Sequence, residues 1–170
     1  MKLPIAALML LLAGPAAAQQ HQHGHAPYAG MQQRLVKALS AQQIAELRAG
    51  RGMGLALAAE LNGYPGPLHV LELADQLQLT AGQRQRVEQL YEGMKAEAIS
   101  VGEKLIARET ALDQHFAEHR ISPANLSELT AEIAETQGEL RAVHLKYHLT
   151  TDELLTAVQK QRYAELRGYR

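Results

Sequence analysis

The stretch LDQHFAEHRISPANLSELT, residues 112–130, decides the fold, because one helix ends inside it and another begins. Upstream, apolar residues fall at 87, 90, 94, 98, 101, 105, 112 and 116. That spacing predicts one amphipathic helix starting at Thr80. About 40 helical residues would reach roughly 60 Å. His119-Arg120-Ile121 stops it, and Ser122-Pro123 restarts the chain with a capping hydroxyl and a proline at the first helical position. A return stripe follows at 126, 129, 133, 140, 143 and 147. Two long helices joined by about three residues must lie antiparallel. With the turn near 121–122, facing residues have numbers that sum to about 243. The fold class is all-α: a long antiparallel helical hairpin with shorter flanking helices.

The flanking helices announce themselves by their ends. Ser40 and Gln43 form a capping pattern, Leu39 can staple to Ile44, and the segment runs to about Leu61, where Asn62-Gly63 ends it. Glycines at 50, 52 and 54 predict a bend in its middle. Pro67 opens a short helix that ends near Gln78.

Two LTxxQ motifs follow a shared logic. Leu79-Thr80 with Gln83, and Leu155-Thr156 with Gln159, each fit a capping box. A capping box alone explains a helix start but not the placement of both. In the hairpin register Thr80 lies opposite roughly position 163, so the second motif falls at the same open end as the first. Together they can brace the mouth of the hairpin.

These residues resemble the Spy/CpxP family of LTxxQ-motif periplasmic proteins, which also takes in periplasmic heavy-metal sensor and resistance proteins. The resemblance covers about 39–168. It implies a cradle-shaped homodimer of the periplasm that binds non-native polypeptides, takes part in the envelope stress response, or senses metals. Chaperone members present a basic concave face, whereas this chain is slightly acidic. Metal-sensing members carry His-x-x-x-Met on the return helix shortly before the last LTxxQ, where this chain has His144 and His148. They also carry His-x-x-x-His on their first helix, whereas residues 40–62 here contain no histidine.

The N-terminus bounds the compartment. MKLPIAALMLLLAGPAAA, residues 1–18, has a basic start, a short apolar run and small residues before a cleavage point after about Ala18. The run is shorter than the roughly 20 residues a membrane-spanning helix needs. The expectation is a cleaved signal peptide and export to the periplasm. Residues 19–38 then read as a flexible, histidine-containing tail, and 39–170 as the helical domain. Formal charge is −1, and −2 without Lys2, so nothing favours nucleic acid. The chain contains no cysteine, which removes disulfides, thiolate metal sites and thiol catalysis.

Three histidine groups have metal-ligand spacing. His144 and His148 are one turn apart and can converge on one ion at about 2.0–2.1 Å. The hairpin register adds Met94 and Glu97 as candidate third ligands, a set suited to Cu or Ni. In the tail, cleavage after Ala18 leaves Gln19-Gln20-His21, whose amine, two amides and imidazole suit Cu(II) or Ni(II), with His23 and His25 as further donors. His115 and His119 share the spacing at the far tip, and His69 stands alone.

No GxSxG, HExxH or Glu-x-x-His occurs, so the chain does not read as an enzyme and requires no cofactor. The leading expectation is an ATP-independent chaperone-like protein. Its partners are non-native exported proteins or a membrane stress sensor, held on a shallow apolar face rimmed by Arg84, Arg86, Lys95 and Lys104. The alternative is a heavy-metal sensor or resistance protein binding Cu, Ni or Zn through its histidines.

Overall fold

A computed structural model describes residues 28–169. The expected leader and His21, His23 and His25 lie outside the described residues. Among those described there are six α-helices, one short 3-10 turn at Met31–Gln33 and no strand. The hairpin is α4 (Ala81–Ala117) with α5 (Pro123–Leu154). Around it stand α1 (Ala41–Arg48), α2 (Leu57–Glu60), α3 (Pro67–Glu72) and α6 (Ala157–Arg167).

The ends of the hairpin follow from local chemistry. Ser122 caps α5 by accepting from the Asn125 amide at 3.3 Å, while the Asn125 side chain takes the Ser122 amide at 2.6 Å. At the other side of the turn His119 adopts φ 54°, Arg120 N–H reaches the His115 carbonyl at 2.9 Å, and His119 N–H reaches Phe116 at 3.1 Å. That is the left-handed closure that satisfies the last carbonyls of α4. The expected register holds along the pair: Lys146 meets Glu97 at 2.6 Å, Lys104 meets Glu139 at 3.4 Å, and Arg108 bonds Thr136. The first two pairs sum to 243 and the third to 244.

The segment from 41 to 61 is not one bent helix. Gly50, with φ 64°, ends α1 by the same left-handed closure, with Arg51 N–H on the Glu46 carbonyl at 3.0 Å. Met53 and Gly54 are also left-handed, at φ 43° and 80°. The glycine run therefore terminates the helix, because three residues in this region cannot continue a right-handed helix. Gly50 also lies against α4: a β-carbon there would stand 2.9 Å from the Lys95 carbonyl oxygen.

The folded part also begins earlier than residue 39, where the apolar period starts. Val36 is 1 % exposed and packs with Ile44, Leu47, Leu105 and Ile106. One buried valine in a polar stretch has no period to reveal it, yet burying it is worth about 1.5–3 kcal/mol. Lys37 adds an ion pair to Asp113 at 3.3 Å.

Two cores result. The larger joins Val36 and α1 to the middle of the hairpin, through Ala98, Val101, Leu105, Ile133, Leu140 and Val143. The smaller lies at the open end, where Val70, Leu77, Val87, Leu155 and Tyr163 meet. Toward the tip the stripe thins out, and Phe116 and Leu126 are exposed.

Candidate functional site

The two LTxxQ motifs meet. Thr80 accepts from the Gln83 amide at 3.1 Å and Thr156 from the Gln159 amide at 3.2 Å, while each glutamine oxygen takes its own threonine's N–H, at 3.0 and 2.9 Å. The side-chain amides then bond one another in both directions, Gln83 Nε2 to Gln159 Oε1 at 2.9 Å and Gln159 Nε2 to Gln83 Oε1 at 3.1 Å. Each amide's remaining hydrogen closes the mouth further, Gln83 onto the Leu154 carbonyl at 2.9 Å and Gln159 onto Leu77 at 3.3 Å. Leu155 is buried beneath them and Leu79 packs against the same core. The motif pair therefore joins the starts of α4 and α6.

A buried carboxylate supports the same end. Glu60 is 6 % exposed and accepts from the Tyr163 hydroxyl at 2.5 Å, the Tyr169 hydroxyl at 3.0 Å and the Gly66 amide at 3.3 Å. Arg167 stands 3.5 Å away. Burial, then the bond to Glu60, pushes the Tyr163 phenol well above its ordinary value. A lone glutamate in the run Leu57–Leu61 carries no signal of this role, because its tyrosine partners lie about a hundred residues downstream.

Of the candidate hairpin ligands, the structure groups some and separates others. His144 and His148 are both buried, at 2 % and 8 % exposure. His148 is committed: its Nδ1–H donates to the Tyr64 carbonyl at 2.7 Å, and its Nε2 abuts Gly66, where a β-carbon would stand 2.6 Å away. Glu97 is taken by Lys146 at 2.6 Å and by the Tyr147 hydroxyl at 2.7 Å, and those bonds hold its carboxyl below the usual carboxylate range. Burial and that bond push the Tyr147 phenol up to about 12. His144 is different, since its Nε2 is buried with no hydrogen-bond partner. Burial, then the nearby His148, holds its imidazole below the ordinary histidine value. Met94, 7 % exposed, lines the same small cavity as His144. Thus the structure brings His144 and Met94 to one cavity, while His148 and Glu97 are engaged elsewhere. Among the described residues no three His, Asp or Glu side chains gather at metal-ligand spacing. At the tip, His115 Nδ1 is also buried and unpartnered.

An apolar groove lies on the other side of α1. It is lined by Leu39, Leu47, Met53, Leu55 and Leu105 and by the Ala134–Arg141 face of α5, with a volume of about 490 Å³. The volume falls within the range of small-ligand clefts. None of Arg84, Arg86, Lys95 and Lys104, expected around an apolar face of the hairpin, lines this groove; Arg84 pairs with Asp75 at 2.5 Å, Arg86 bonds Gln89 at 3.1 Å, and Lys104 pairs with Glu139. Arg141 is the cation that borders the groove. α1 crosses α4. Gly102 allows that crossing, for a β-carbon there would stand 2.9 Å from the Leu47 carbonyl oxygen.

No protein-family model matches the sequence, and no characterised protein or solved structure matches it significantly.

Proposed function

We propose that this chain is an exported, periplasmic binding protein of the Spy/CpxP type that holds apolar segments of non-native polypeptides without consuming nucleotide, acting as a homodimer. The observation that supports the reading most is the α1–α5 groove, whose lining is predominantly aliphatic, flanked by Gln43, Gln137 and Arg141. Open apolar surface bordered by polar groups is what a binding face for unfolded chains requires. Met53 at its end is 40 % exposed, and the flexible methionine side chain adapts to varied partners. The hairpin, braced at its mouth by the glutamine pair and Glu60, supplies a rigid wall. The test is suppression of aggregation of a chemically reduced client in the presence of a chelator, comparing the natural chain with Ala134→Glu, an exposed position on the groove wall. The alternative of a heavy-metal sensor retains only His144 and Met94 from its hairpin ligand set and ranks second.

A further inference from the structure

The lining of the groove beside α1 is chemically uniform apart from one charge. Its apolar part consists of leucines, Met53, Ala134 and Gly138, and no aromatic ring lines it. Flexible aliphatic walls without a ring to stack on suit a bending alkyl chain better than a planar ligand. A volume of about 490 Å³ accommodates one such chain, since single-ligand clefts run from about 300 to 1,000 Å³. Gly138 stands inside α5, where glycine weakens a helix relative to alanine. A β-carbon there would meet nothing within 4 Å, so the protein's own packing does not call for this glycine. It leaves a strip of bare helix along the groove. Arg141 is the one charged residue of the lining. Nearby cations of the hairpin are taken by carboxylates, Lys104 by Glu139, Arg108 by Glu132 and Lys146 by Glu97. Among the described residues Arg141 has no such partner. Gln137 precedes it by one helical turn and lines the groove as well, so the amide and the guanidinium are neighbours on one helix face.

We propose that the groove binds a single-chain amphiphile with an anionic head, a free fatty acid or an alkyl phosphate. The chain lies along the leucines and the bare strip at Gly138, and the head meets Arg141 and Gln137. A guanidinium presents a planar fork of donors that matches a carboxylate or a phosphate. A cationic head gains nothing here, because no carboxylate lines the groove. Each methylene withdrawn from water contributes up to about fourfold in affinity, so binding follows chain length as well as charge. The assignment rests on the lining and its single charge, not on the polypeptide reading, and the two occupants compete for one groove.

The test is calorimetric titration of the mature chain with dodecanoate below its micelle concentration, beside decanoate, dodecyl phosphate and dodecyltrimethylammonium. The expected result is one dodecanoate per chain, with decanoate roughly tenfold weaker and dodecyltrimethylammonium weaker by at least about tenfold. The tighter of dodecanoate and dodecyl phosphate identifies the head. Arg141→Gln weakens dodecanoate by roughly 10–100-fold and does not weaken the cationic amphiphile. Gly138→Leu, at a position where the β-carbon meets no other atom, fills the groove and weakens dodecanoate and dodecyl phosphate alike. Unchanged circular dichroism separates loss of the site from loss of fold. Equal affinity for the anionic and cationic amphiphiles, several dodecanoates per chain, or affinity within about threefold of the parent in Arg141→Gln would each overturn the assignment. Suppression of client aggregation by a chain that binds no dodecanoate would also overturn it, and would leave the polypeptide reading standing.

Discussion

Replacing Gln159 by alanine tests whether the two LTxxQ motifs act as one joint. The side chain makes five hydrogen bonds: it accepts from the Thr156 amide at 2.9 Å, from the Thr156 hydroxyl at 3.2 Å and from Gln83 at 2.9 Å, and donates to Gln83 at 3.1 Å and Leu77 at 3.3 Å. At a net value of about 0.5–1.5 kcal/mol per bond, and with Gln159 half-buried so that water replaces part of the loss, Gln159→Ala should cost roughly 2–4 kcal/mol. Gln83→Ala breaks a matching set and should cost about the same. The two bonds between the glutamines vanish in either single variant, so the double variant should cost about 1–2 kcal/mol less than the sum. Urea denaturation followed by circular dichroism measures all four corners of the cycle. Additivity within about 0.3 kcal/mol would refute the reasoning, because it would make each motif an independent helix cap.

Two glycines should respond in opposite directions. Gly102→Ala drives a β-carbon into the Leu47 backbone and should destabilise by about 1–3 kcal/mol despite its better helix propensity. Gly138→Ala, with nothing within 4 Å, should stabilise by about 0.5–1 kcal/mol in the same denaturation assay. The Glu97 carboxyl is held below 4.5 by Lys146 and Tyr147, so its stabilisation is present above that pH and lost as pH falls through its folded value. Glu97→Gln should therefore cost about 0.2–1 kcal/mol at pH 7 in low salt, and the difference should shrink in acid and in high salt.

The hairpin was legible because its signals agree: a sustained stripe, a proline restart after a serine cap, and a turn too short for any other packing. The register followed from the turn position alone, and Lys146 opposite Glu97 and Lys104 opposite Glu139 bear it out. What escaped the sequence was tertiary. Gly50, Gly52 and Gly54 mark a break, yet a bend and a termination look alike until the backbone of Lys95 is seen against Gly50. Val36 is a single core residue without a period. Glu60 and His148 owe their roles to Tyr163 and Tyr64, partners remote in sequence. His69 lacks a neighbour at ligand spacing, and only the tertiary fold brings it to the cavity that His144 and Met94 line.

The central claim is that the groove between α1 and α5 binds non-native chains, and light scattering from a reduced, aggregating client protein with chelator present tests it most directly. The account predicts that a near-equimolar amount of the mature chain suppresses the scattering and that Ala134→Glu and Met53→Glu, folded as the natural chain is, lose most of that effect. Scattering unchanged by the natural chain, or suppressed equally by both variants, would contradict it.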